Sequence, residues 1–250
     1  LWHVAWAAAI ALALHLLTLI TPLDYLLRPI QHTLGSTEAS GQIVFVGART
    51  DLADPAYPHR REQLADVIER LDEAGAKAVF VDIVFRQQAA APQSDRRLNR
   101  VLREAGNGPV LVNMLSTGVD GLYRVHASTP SVADGVPTVG GNVWTDFFGF
   151  AWRMNTQIED SATRLPNLPN AIAGQFTLED EWYSVSYFFR PETIPFLSFE
   201  ELVDSDDFPE EVSGRTIVIG LVDPPSVTKP NIPGLPGVPP TLVHIYAAET

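Results

Sequence analysis

Charged and amide side chains stand directly behind four apolar runs of this chain. Arg49, Thr50 and Asp51 follow Gln42 to Gly47, and Arg86 follows Lys77 to Phe85. Asn113 stands at the end of Pro109 to Val112, and Asp223 follows Gly214 to Gly220. Open α/β sheets bind ligands outside the carboxyl ends of their strands, so this placement offers charged groups to a bound molecule along one sheet edge. Ordinary solvated loops would have the same composition, and the sequence leaves both readings open. Asp82 differs, because it lies inside Val79-Phe80-Val81-Asp82-Ile83-Val84-Phe85. A carboxylate in a buried strand needs a partner, and the expected one is nearby backbone or an arginine.

Familiar catalytic and cofactor patterns are missing. Gly47-Ala48-Arg49 opens no GxGxxG, and no GxxxxGK[ST] loop occurs, so neither a dinucleotide nor a phosphate cradle is expected. No GxSxG or HExxH is present, and the six histidines are scattered at 3, 15, 32, 59, 126 and 244. Asp204 to Glu211 looks at first like a calcium loop. Pro209, however, stands where the turn needs Gly, and Arg215 where a bidentate Glu is required. The chain has no Cys, which removes disulfides, thiolate metal sites and a Cys nucleophile. No metal, cofactor or catalytic group is therefore expected. A formal net charge of −13 disfavours nucleic acid, whose binding rests on Lys and Arg neutralising phosphates.

The elements that would hold these residues are readable from periodicity. Gln42 to Gly47 is a strand buried on both faces. Residues 61 to 74 place Leu64, Val67, Ile68 and Leu71 on one helical face, and Gly75 follows as a left-handed cap. Lys77 to Phe85 is the next strand, and this strand-helix-strand unit implies that its two strands are parallel neighbours. Ser94 is placed to cap a helix with Leu98, Val101, Leu102 and Ala105 inside, and Pro109 to Met114 is a third strand. Gly140 to Trp144 and Trp182 to Phe188 read as strands adding antiparallel pairing. Ser198 to Glu201 has capping-box spacing, Gly214 to Gly220 is a further buried strand, and the proline-dense segment 223–240 is an extended loop. The fold expected is α/β, with a mixed, largely parallel sheet flanked by helices.

Residues 1–21 contain no Asp, Glu, Lys or Arg. About 20 helical residues match a hydrocarbon core of about 30 Å, so this stretch reads as one transmembrane helix preceding a soluble domain over 22–250. Trp2 and Trp6 suit one interface, while Pro22, Asp24 and Arg28 mark the other. A signal peptide would carry a basic start and a small-x-small cleavage site, and neither is visible. A large acidic domain after a first span is expected to be extracytoplasmic.

Taken in order, the segments resemble the CHASE2 family of extracytoplasmic sensor domains in bacterial transmembrane receptors. In the first block, Pro58 and Arg61 match the family's Pro-x-x-Arg turn, Gly75-Ala76 the helix exit, and Asp82 and Phe85 its Asp-x-x-Phe strand. Gly140, Asn142, Asp146, Gly149 and Arg153 match the second block. Ser198-Phe199, Leu202, Gly214-Arg215 and Ile217 to Gly220 match the third, and Pro236-Gly237-Val238 with His244 match the closing helix. Ala48-Arg49 and Tyr57 depart from the family's usual acidic residue and Trp. The resemblance implies a non-enzymatic input module in the bacterial inner membrane, expected to act as a homodimer, with further membrane helices and a cytoplasmic output after Thr250. It would sense a small molecule or an envelope protein. The ligand-contact candidates are then Arg49, Asp51, Arg61, Asp82, Asn113 and Asp223. Two other classes fit the residues: an extracytoplasmic hydrolase using Asp82, and an anchored scaffold presenting the aromatic stretch 144–152.

Overall fold

Strands whose every residue is apolar need cover on both faces, and the chain supplies it with helices on each side of one sheet. A computed structural model describes residues 2–4, 6, 37–117, 123–145, 149–159, 163–176, 181–205, 210–223, 229–232 and 235–250. In chain order the elements are β1 (Ile43–Ala48), α1 (Pro58–Glu73), β2 (Ala78–Asp82), α2 (Pro92–Glu104), β3 (Val110–Thr117), β4 (Tyr123–His126), α3 (Pro130–Ala133) and β5 (Thr138–Gly141). Then follow β6 (Arg153–Asn155), β7 (Gln157–Glu159), β8 (Arg164–Pro166), α4 (Leu168–Ile172), β9 (Trp182–Ser184), β10 (Phe196–Ser198), α5 (Phe199–Asp204), β11 (Thr216–Leu221) and α6 (Pro240–Glu249).

Seven strands form the central sheet in the order β10-β1-β11-β2-β3-β4, with β5 also on β3. All its pairings are parallel except that of β3 with β4. The mixed, largely parallel α/β sheet flanked by helices is thus the observed architecture. Alternate strand residues divide between two cores. Val44, Val46, Val79, Val81, Leu111, Ile217 and Ile219 pack with α1, α2, α3 and α5. Ile43, Phe45, Phe80, Val112 and Val218 pack on the other side with α4 and α6. At about 1.5–3 kcal/mol for each large apolar side chain removed from water, these two layers dominate the stability of the fold.

Four differences from the expected elements have physical causes. β1 and β2 are parallel but not neighbours, because β11 inserts between them and pairs with both. It is apolar on both faces and so suits mid-sheet. Gly140 and Gly141 belong to a strand that pairs parallel to β3, whereas β9 pairs antiparallel with β6 in a separate two-stranded sheet. Ser94 lies inside α2, whose first residue is Pro92; its hydroxyl donates to Glu62 at 2.7 Å instead of capping. Pro240 begins a helix rather than ending a loop, as its fixed φ and missing N–H allow at a first helical position. Gly75 does have the expected left-handed conformation (φ 78°), and Ser198 does cap α5 by accepting from the Glu201 N–H.

Residues 7–36, which hold most of the expected membrane helix together with Pro22, Asp24 and Arg28, lie outside the described residues, as do Asp146 and residues 206–209 of the calcium-like loop. Among the described residues no helix is long and apolar enough to cross a membrane.

Candidate functional site

The carboxyl ends of β1, β2, β3 and β11 open into a cleft of about 630 Å³. Its walls are two loops. One is the segment after β1, with Thr50, Asp51, Asp54 and Tyr57; the other is the segment after β2, with Ile83, Val84, Arg86 and Gln87. Asp82 and Leu221 at the ends of β2 and β11, Met114 within β3, and Pro240 and Thr241 of α6 also line the cleft. A backbone bond from the Ala90 N–H to the Pro55 carbonyl (2.9 Å) ties the two walls together.

Each wall is held from behind by an arginine of α1. Arg60 binds Asp51 at 3.0 Å and Glu200 of α5 at 2.6 Å, so Asp51 already has an ion-pair partner, shared with Glu200. Arg61 is fully buried and pairs with the equally buried Asp95 of α2. Its other Nη donates to the Gln87 carbonyl at 2.7 Å, and its guanidinium lies 5.0 Å from the Phe85 ring centre. Asp95 in turn accepts from the Ser131 hydroxyl (2.6 Å) and the Ala89 N–H (3.2 Å). A buried arginine whose two Nη groups are met by a carboxylate and a carbonyl fixes the loop it holds. Arg61 therefore shapes the wall that carries Arg86 and Gln87 without lining the cleft.

Asp82 faces α6. The Thr241 hydroxyl donates to its Oδ2 at 2.6 Å, while Oδ1 has no hydrogen-bond partner among the described residues. The partner is thus neither backbone nor arginine but the first turn of the last helix, 159 residues along the chain. Such an approach requires Gly220 in β11, since a β-carbon there would lie 2.2 Å from the Thr241 hydroxyl oxygen. One helical turn further, His244 is buried and its Nδ1 has no hydrogen-bond partner among the described residues. Burial lowers its pKa below the ordinary histidine value, and the Asp82 charge offsets part of that effect.

Of the residues expected at a ligand site, the structure brings Asp51 and Asp82 to the cleft, together with Thr50 and Arg86. It does not bring the others. Arg49 is exposed beside the cleft, and Asp223 is exposed and paired with Lys229 at 2.6 Å. Asn113 does not close its strand, because β3 runs on to Thr117 against β4; Asn113 is buried within it and its Oδ1 has no partner among the described residues. Sequence reasoning passed over Asp54, Tyr57, Met114 and Thr241. Tyr57 stands where the family pattern usually has Trp, and that departure was a usable signal. Thr241 carried none, since only the docking of α6 on β11 brings it to Asp82.

The aromatic stretch 144–152 is half-buried in its described part. Phe150 stacks on Trp152 with ring centres 5.1 Å apart, Trp152 meets Tyr187 edge-on, and Tyr187 meets Tyr246 of α6. Among the described residues no group of His, Cys, Asp or Glu is arranged to hold a metal ion.

No curated protein and no solved structure matches the chain. The family described as CHASE2 domain matches residues 4–248, nearly the whole length, and the protein therefore belongs to this family of sensory extracellular domains.

Proposed function

We propose that the chain is the input module of a bacterial transmembrane receptor. Residues 1–21 anchor it in the inner membrane, the sheet domain stands outside the cytoplasm, and the cleft at the strand ends receives the signal. The observation that carries this reading is the course of α6. Its first turn lines the cleft and holds Asp82 through Thr241. At its other end Glu249 accepts from the Ser40 hydroxyl at 2.7 Å and the Ser40 N–H at 3.2 Å. Ser40 stands just before β1, on the segment that enters from the uncharged stretch. Ten helical residues at about 1.5 Å each make a rod of about 15 Å between the cleft and the side where the chain enters.

A bound molecule that engages Asp82 shares its carboxylate with the Thr241 hydroxyl and so acts on the seating of α6. It transmits a signal only to the extent that it binds two seatings unequally. The aromatic contacts from Phe150 to Tyr246 give the helix a lateral support that would have to move with it.

Topology tests the reading directly. Fused after residue 205 of the chain and expressed in bacteria, alkaline phosphatase is expected to be active, and the fusion to resist alkaline extraction from the membrane fraction. An inactive fusion, or one released as soluble protein, overturns the placement.

A further inference from the structure

Three carboxylates and one guanidinium line the cleft, and they are not equivalent. Asp51 is paired with Arg60 at 3.0 Å, a guanidinium it shares with Glu200 at 2.6 Å. Asp54 spends one oxygen on the Ala56 N–H at 2.9 Å, which closes its own turn. Asp82 keeps Oδ1 unengaged. Arg86 is exposed and makes no ion pair or hydrogen bond among the described residues. The cleft thus holds an unanswered negative group on its floor and an unanswered positive group on its wall. Ile83, Val84, Met114, Leu221 and Pro240 supply an apolar surface to the same cleft.

From this arrangement we infer that the cleft binds a small zwitterion of the amino-acid type, with its ammonium on Asp82, its carboxylate on Arg86 and its apolar body on the strand ends. The inference rests on the reading of the cleft as the sensory site. A simple anion is disfavoured because the lining carboxylates outnumber the lining guanidinium. A simple cation leaves Arg86 facing it. Only a molecule carrying both charges answers both groups, and charge-assisted hydrogen bonds are the strong ones.

Size agrees. Asp82 and Arg86 are four positions apart, so their α-carbons are at most about 14 Å apart, and the arginine stem shortens the gap that a ligand must span. The cleft volume of about 630 Å³ lies within the range of small-molecule sites and admits a free amino acid or a dipeptide. An ammonium on Oδ1 would also load the same carboxylate whose Oδ2 holds the Thr241 hydroxyl, the contact on which the proposed signalling step acts. Ligand chemistry and the response of α6 would then meet at one carboxylate.

Calorimetric titration of the full 250-residue chain in detergent tests this with four probes: L-leucine, L-leucyl-L-leucine, 3-methylbutylamine and 4-methylpentanoate. At least one of the first two is expected to bind, and the two singly charged probes to bind weaker by on the order of tenfold, the scale of one lost charge-assisted contact. The free amino acid binding better than the dipeptide, or the reverse, identifies the source. Arg86→Gln is expected to reduce zwitterion binding to the level of the amine and leave the amine unchanged. Asp82→Asn is expected to do the converse with the carboxylate. Arg86 is exposed and unpartnered, so its variant folds even where the Asp82 variant does not. The inference is overturned when neither zwitterion binds, when all four probes bind alike, or when Arg86→Gln weakens every probe equally. Any of these with the alkaline phosphatase result intact removes the ligand class and leaves the receptor reading standing, whereas failure of the topology removes both.

Discussion

Arg60 and Arg61 are adjacent in the sequence and have separate tasks, because one helical step turns the second toward Asp95 and leaves the first between Asp51 and Glu200. Removing Arg61 leaves Asp95 as an uncompensated charge with no exposed surface. Arg61→Ala is therefore expected to cost about 3–5 kcal/mol in urea unfolding, and Arg61→Ala/Asp95→Ala to cost less than the sum of the two single changes. Equal costs in sum and in the double variant would show that the two groups do not act as a pair. The sequence marked Arg61 through its place in a recurrent turn and read it as a ligand contact. What it does depends on a helix 34 residues further on, and no local signal announces that. Asp82 was legible halfway. A carboxylate in an apolar strand demanded a partner, but identifying Thr241 required the tertiary structure.

At the scale of elements, α6 shows why pattern reading ends where it does. Thr241, Val243, His244, Ile245, Tyr246 and Ala247 are all buried, so the helix has no polar stripe to fix its orientation from sequence. Its seating is decided by β11, where Gly220 admits Thr241, and by the cover it gives to Phe45, Phe80 and Val218. His244 lies within this contact, and among the described residues the charge that acts on it is that of Asp82. Its pKa is lowered on folding, so below the ordinary histidine value the unfolded chain binds the proton more readily than the folded one. Stability then rises with pH up to that value, near 6.5, and is lost as pH falls below it. The melting temperature of the full chain is expected to fall from pH 7 to pH 5, and His244→Gln to flatten that fall. An unchanged slope in the variant would assign the acid sensitivity to other groups. β11 taught a similar lesson: its apolar run identified a buried strand, while its place between β1 and β2 depended on which side chains fill the space between two helical layers.

At the scale of the whole molecule, the proposed membrane anchor and a proposed pairing of two chains belong together. A receptor input that moves α6 against the entering segment would need a reference, and a second copy in the same membrane would provide one. Leu12→Cys and Leu16→Cys in the full receptor, oxidised in membranes, are expected to give a disulfide-linked dimer at one of the two positions on gel electrophoresis; monomer alone at both would remove the dimer from the proposal. The apolar runs, the helix periodicity, the glycine and proline punctuation and the uncharged stretch 1–21 are local properties of the chain. By themselves they determined the α/β class, most element positions and the ordered blocks of the CHASE2 family, because burial on both faces of a strand and on one face of a helix is written in consecutive residues. Strand order, the pairing of Arg61 with Asp95, and the meeting of Asp82, Thr241 and Arg86 around one cleft were decided only by tertiary structure. Each joins residues far apart in the chain, and their proximity follows from how the two cores pack rather than from any local preference.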